Sequence, residues 1–153
     1  MIENNLFSSI DTSASGLTAE RLRMDVIAGN LANVDTTRTP EGGPFKRQLL
    51  IFASKTDFSP RKFPFLPMKI KTKLDNPGNG VTVQEIFKDP SPPRLRYEPG
   101  HPDANSEGYV AYPNVDVVKE MVDMMSASRA YEANVTSINA AKGMFNKSLE
   151  IGR

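Results

Sequence analysis

The chain contains no cysteine. Disulfides, thiol catalysis and cysteine-bound zinc or iron–sulfur centres are thereby excluded, while the compartment stays open. Its one histidine is His101, and no serine elbow, Walker loop, dinucleotide fingerprint or HExxH sequence accompanies it. Charge of one sign is also lacking. A formal net charge of +1 offers no electrostatic footprint for nucleic acid or an anionic membrane. There is no run of about eighteen apolar residues, and the start, 1–5, is not a basic segment leading into an apolar one. Neither a membrane span nor a conventional secretory precursor is expected. The reading is of a non-enzyme with no cofactor, no metal, no small-molecule substrate and no direct membrane insertion.

Proline is missing from both ends. All 12 prolines lie between Pro40 and Pro113, so long helices are permitted only outside that interval. The last part of the chain uses that permission. Counting in sevens gives Val117, Met124, Tyr131, Ile138 and Phe145, and a second series gives Met121, Ser128, Val135, Lys142 and Leu149. Steps of four and three alternate, the spacing that keeps one stripe of a helix against a partner helix. At 1.5 Å per residue the helix is roughly 50 Å long. Asn114 is the expected N-cap, with Asp116 in the first turn suiting the helix dipole.

The beginning repeats the pattern. Ile10, Leu17, Met24 and Leu31 interleave with Leu6, Ser13, Glu20, Ile27 and Val34, which predicts a second helix over 6–34, capped near Asn4, Asn5 or Ser8 and ending around Asp35–Thr37. Gly16 and Gly29 each cost it about 1 kcal/mol if internal. The two ends are therefore natural partners. Glu20, Ser13, Lys142 and Ser128 lie on the seams; polar residues there either fix register at a cost in stability or, for the long stems, reach the edge.

Between the helices, short strands and turns are expected. Phe45–Ala53 reads as one strand. Met68, Ile70, Thr72 and Leu74 alternate with Lys69, Lys71 and Lys73 as a half-buried strand, and after a turn-rich run Val81–Lys88 reads as its returning partner in a hairpin. Leu95–Glu98 and Tyr109–Tyr112 are shorter candidates. The fold class is thus mainly α with a small β insertion: 1–36 a helix, 37–113 proline-rich loops and short antiparallel strands, 114–153 a long helix pairing with the first as a coiled coil.

The surfaces of the helices are poor in charge. Between Met124 and Asn146 only Arg129, Glu132 and Lys142 are charged, and Val26–Val34 has no charge at all. Small uncharged flanks let further helices approach, and Met121, Met124, Met125 and Met144 offer adaptable contacts. Self-assembly is the expectation that follows; an ordinary Ala/Ser/Asn solvent face is the plain alternative. Glu98, His101, Asp103 and Glu107 could be drawn as a metal site, but their Pro/Gly-broken surroundings read as a loop of local turns. The basic run Arg61, Lys62, Lys69, Lys71, Lys73 with Phe63 and Phe65 could suit single-stranded nucleic acid, and reads more simply as a solvated, edge-protecting strand face.

Particular stretches carry a resemblance. Ala14-Ser15-Gly16-Leu17-Thr18-Ala19-Glu20-Arg21 followed by Asn30-Leu31-Ala32-Asn33-Val34-Asp35 resembles the N-terminal signature of bacterial flagellar axial proteins, the rod and hook components. Pro40-Glu41-Gly42-Gly43-Pro44-Phe45, the run from Tyr97 through His101-Pro102-Asp103-Ala104 to Val110, and Ser128-Arg129-Ala130-Tyr131-Glu132-Ala133-Asn134 resemble the proximal-rod members, across the whole chain. The resemblance implies a structural subunit of the basal-body rod that spans the periplasm. It would be exported unfolded, without a cleaved signal peptide, by the flagellar type III apparatus. Its partners would be itself, other proximal and distal rod proteins, rod-base and MS-ring or export-gate components. It implies helix–helix and subunit contacts at Ile10, Leu17, Met24, Ile27, Leu31, Val117, Met121, Met124, Ser128, Tyr131, Val135, Ile138, Phe145 and Leu149, with Asn30, Asn33, Arg129 and Asn134 as polar contacts. Pro40, Pro44, Phe45, His101 and Asp103 would sit in loops ordered by neighbouring subunits. A soluble homo-oligomeric coiled-coil adaptor unrelated to motility is the alternative.

Overall fold

The computed structural model describes residues 2–55 and 80–151. Its elements, in order, are α1 (Ile2–Ala32), β1 (Gln48–Ser54), β2 (Val81–Lys88), β3 (Arg94–Tyr97), β4 (Tyr109–Tyr112) and α2 (Val117–Ile151). The strand expected over Met68–Leu74 and the basic run Arg61–Lys73 lie outside the described residues.

The two long helices pack against each other, antiparallel. Ser13 Oγ donates to Ser137 Oγ at 3.4 Å and Asn30 Nδ2 to Glu120 Oε2 at 3.1 Å, while Gly16 faces the Asn134 side chain. The steps from 13 to 16 to 30 along α1 are thus matched by equal backward steps along α2, and the helices stay in register over about 25 Å. α1 starts at Ile2, so Asn4, Asn5 and Ser8 lie inside it rather than capping it. Its end is closed by Asn33, whose Nδ2 donates to the Gly29 carbonyl at 2.9 Å. At α2 the cap is Asp116, not Asn114: Asp116 Oδ1 accepts from the Val118 N–H at 3.0 Å and the Lys119 N–H at 3.3 Å. A carboxylate there satisfies two amides that the helix itself leaves unpaired, and its charge suits the dipole.

β1 and β2 form one antiparallel pair, Gln48 opposite Lys88 through to Ser54 opposite Val81, with a register shift between Ile51 and Phe52. Among the described residues the partner of Val81–Lys88 is therefore β1. β3 and β4 form a second pair, Arg94 opposite Tyr112 and Tyr97 opposite Tyr109. Tyr97 and Tyr109 meet edge to face at 5.3 Å, a favourable cross-strand aromatic pair.

The first sheet is fastened along α1 at two points. At one end Asn30 exchanges both amide hydrogen bonds with the Gln48 backbone, Nδ2 to the carbonyl and Oδ1 from the N–H, each 2.9 Å. At the other, the Val81 N–H donates to Ser15 Oγ at 3.0 Å. Fifteen helical residues rise about 22 Å, and the six steps of β1 about 20 Å, so strand and helix run side by side without stretching either. Gly80 makes the second fastening possible, because its φ of +109° is one that L side chains rarely adopt and a Cβ there would stand 2.2 Å from Ser15 Oγ.

The core is small. Ala19, Val26, Ile27, Val110, Val115, Ala127 and Ala141 are its buried apolar residues, joined by the polar Asn30 and Glu120. No described helix is long and apolar enough to cross a membrane.

Candidate helix and subunit interface

The seam of α2 differs from the expected one by a single choice. Met124, Tyr131 and Ile138 are half-buried, but the series that alternates with them is Glu120, Ala127, Asn134 and Ala141, of which three are buried and Asn134 half-buried. Met121 stands 54 % exposed, Lys142 is exposed, and Ser128 and Val135 are half-buried at the edge. The physical reason is close approach. Alanines at the seam, with Gly16 opposite, let the backbones come nearer than a stripe of methionine and leucine would allow. A Cβ on Gly16 would lie 2.9 Å from Asn134 Nδ2.

At the α1–α2–β1 junction lies a buried ionic cluster that sequence reasoning missed. Glu120 is 1 % exposed. Arg47, just before β1, holds its Oε1 with Nε at 2.6 Å and with a second guanidinium nitrogen at 2.5 Å, while Asn30 holds Oε2. Both carboxylate oxygens are thereby satisfied, as a buried charge requires. Around this core Asp123 lies 3.8 Å from Arg47 and 3.8 Å from Arg23, and Glu20 lies 3.8 Å from Arg23. Glu20 Oε2 is buried without a hydrogen-bond partner among the described residues. Arg47 stands in a polar Lys46-Arg47-Gln48 run, and nothing local marks it as the partner of Glu120. A heptad count based on apolarity alone passes over Glu120 because it is charged.

The remaining expected site residues divide by exposure. Ile27 and Asn30 are buried; Ile10, Leu17, Met24, Leu31 and Asn33 are half-buried. Val117, Phe145 and Leu149 are exposed at 42 %, 40 % and 59 %, and Arg129 is exposed. Exposed apolar residues continue on α2 at Val118, Val122 and Met125. With Met121 they recur at steps of one, three and four, the signature of one unpartnered helix stripe.

The two loops expected to be ordered by neighbours each carry hydrogen bonds within the chain. The Thr39 N–H donates to the Gly43 carbonyl at 2.9 Å and the Phe45 N–H to that of Thr36 at 3.0 Å, which closes the turn holding Pro40 and Pro44. In the other loop Asn105 Oδ1 accepts from Glu107 and Tyr109 N–H groups at 3.0 and 2.8 Å, and His101 Nδ1 accepts from the Asp103 N–H at 3.1 Å. The loops also bind each other, Thr37 Oγ1 donating to Asp103 Oδ2 at 2.8 Å. Side chains of short reach make these bonds locally. Glu98 is committed elsewhere: it accepts from Tyr112 OH at 2.9 Å and pairs with Arg96 at 2.9 Å. The described residues hold no grouping of three or more histidines and carboxylates placed to bind a metal. Two carboxyls and a phenol carry shifted pKa values. The Lys88 ammonium, bonded to Glu41 at 2.6 Å, holds that carboxyl below its usual range; hydrogen bonds from Ser91 do the same for Asp89; and the hydrogen bond to Glu98 pushes the Tyr112 phenol up.

A pair of antiparallel terminal helices with seams of small residues, bracketing a β insertion, is the architecture of an axial assembly protein, and comparison with known proteins agrees. Residues 10–38 match the family described as "Flagella basal body rod protein" and residues 106–151 the family described as "Flagellar basal body rod FlgEFG protein C-terminal". More narrowly, the chain belongs to the family of the flagellar basal-body rod protein FlgC. It is 55 % identical to that protein of Borreliella burgdorferi over 95 % of this chain and 97 % of the relative. The FlgC of Bacillus subtilis is 49 % identical over 96 % and 98 %, and that of Salmonella typhimurium 38 % over 97 % and 98 %.

Proposed function

We propose that the chain is a structural subunit of the proximal part of the flagellar rod, and that its helix pair packs among the helix pairs of neighbouring subunits to form a shaft carrying torque from motor to hook. The observation that carries this reading is the exposed apolar stripe of α2, from Val118 to Met125, on a chain whose homology to rod proteins runs nearly end to end. Such a stripe is costly in water and stabilising once neighbours cover it, at about 25 cal/mol per Å² of apolar surface. A shaft under load must resist shear between subunits, and interdigitated helices spread the load over many packed contacts.

In this reading Val117, Met121, Arg129, Phe145 and Leu149 contact other subunits. Ile10, Leu17, Met24, Ile27, Leu31, Met124, Tyr131, Asn134 and Ile138 hold the helix pair, with Ser128 and Val135 at its edge. Residues 1–36 and 114–153 form the axial core, and 37–113, including the loops at Pro40–Phe45 and His101–Asp103, form the outer contacts. The partners are further copies, other proximal and distal rod proteins, and rod-base or export-gate components. The rod crosses the periplasm, and the subunit reaches it through the flagellar type III apparatus without a cleaved signal peptide. Deleting the gene in its host tests the role: loss of rod, hook and filament, restored by a plasmid copy, is the expected result, and normal motility would refute it.

A further inference from the structure

α1 carries a second heptad stripe, facing away from α2. Asp11, Ala14, Arg21, Asp25, Ala28 and Ala32 are all exposed and recur at the three-and-four spacing of a helix seam. α2 carries an outward stripe of the same spacing, with Val118, Val122, Met125, Arg129 and Glu132 exposed. The side chains of Arg21, Asp25, Arg129 and Glu132 make no hydrogen bond or ion pair among the described residues. Resting on the rod reading above, we propose that these two stripes bind each other between copies: the outer face of α1 in one subunit docks on the outer face of α2 in the next, antiparallel, with Arg21 opposite Glu132 and Asp25 opposite Arg129.

That register matches the layers from Arg21 to Ala32 of α1, and leaves Val118 beyond the α1 end. With those pairs aligned, Ala28 falls opposite Met125 and Ala32 opposite Val122, so both of these large apolar side chains enter the space left by an alanine. Asp11 falls beside Lys142, which lies at the stripe's edge with a stem long enough to reach it. Wrong registers are penalised. A slide of one turn in one direction sets Arg21 against Arg129, and in the other direction Asp25 against Glu132. A parallel arrangement that aligns Asp25 with Arg129 places Arg21 against Met125 instead of Glu132. Charges at the rim of a helix seam select partner and register more than they add affinity. The two faces of one subunit are different, so the contact is head to tail and, where the rotation between copies does not close a ring, leaves a free α1 face and a free α2 face at the two ends of an open polymer.

The natural absence of cysteine supplies a clean assay. Chains carrying Ala28→Cys and chains carrying Met125→Cys, mixed and oxidised at low salt, are expected to form cross-linked heterodimer several-fold faster than Ala28→Cys mixed with the out-of-register Ala140→Cys. Arg21→Glu in the first chain is expected to suppress the cross-link, and Glu132→Arg in the second chain to restore it. Circular dichroism of each variant monitors the helices; every substituted residue is exposed, so the fold should persist. Equal cross-linking in and out of register, absence of any cross-link, or no rescue by the charge swap overturns the proposal. The gene-deletion phenotype is independent of this assay, so a rod that needs the chain but shows no such contact would refute the register and leave the rod role standing.

Discussion

Asn30 directs its amide at the backbone of Gln48 and at Glu120, so one helical side chain serves two other elements at once. Asn30→Ala leaves the part-buried Gln48 N–H and carbonyl, and the buried Glu120 Oε2, without this partner and is expected to cost about 2 to 3 kcal/mol in urea unfolding. A loss within error of zero would show that water replaces the amide. Arg47 has the larger effect. Arg47→Met strands the Glu120 carboxylate, 1 % exposed, and should cost about 3 to 5 kcal/mol, whereas adding Glu120→Leu should recover most of it. The recovery separates an unpaired charge from lost packing. Tyr112 is the residue for a pH measurement. Its phenol is raised by the hydrogen bond to Glu98, so the stabilisation is fully present below the ordinary tyrosine pKa and disappears as pH rises through the raised one. Glu98→Gln should move one tyrosine of an ultraviolet titration down toward the ordinary range; an unchanged titration would disprove the bond's role.

At the level of elements the close approach of α1 and α2 depends on Gly16. Gly16→Ala gains about 1 kcal/mol of helix propensity, and its Cβ would push on the end of a flexible side chain, Asn134 Nδ2. The sum should lie near neutral, and Gly16→Ala with Asn134→Ala should be more stable than the parent by up to about 1 kcal/mol. Gly16→Leu cannot be accommodated so cheaply, and about 1 to 3 kcal/mol of overpacking strain is expected to lower the melting temperature. A Gly16→Leu variant that melts with the parent would mean that the helices do not approach closely there. The helices, both short hairpin strands and the termination of α1 near Asp35 were all legible from period and proline distribution. The pairing of β2 with β1 was not: it is defined by fastenings at Asn30 and Ser15 that no local pattern contains, and the hairpin expected with Met68–Leu74 lies outside the described residues.

For the whole molecule, the exposed stripe on α2 dominates expectation. A chain left with Val118 at 72 % exposure and its neighbours uncovered should self-associate, and more so at high protein concentration. Replacing Val118, Val122 and Met125 together by serine is expected to leave the intrachain helix pair intact by circular dichroism and to abolish rod formation in a complemented deletion strain. Normal motility with that triple variant would exclude the stripe from assembly.

Sequence alone determined the two long helices, the division at the first and last proline, the sparse charge of 26–34 and 124–146, and the family. Each of these follows from local composition or from period along one segment, which physics reads without knowing the partner. Tertiary structure alone decided which of two possible series lines the α2 seam, where β1 lies, and that the half-buried Arg47 pairs with the buried Glu120. Those depend on which atoms meet across the chain: close approach favours alanine over methionine, and a charge enters the interior only when its partners from two other elements arrive with it.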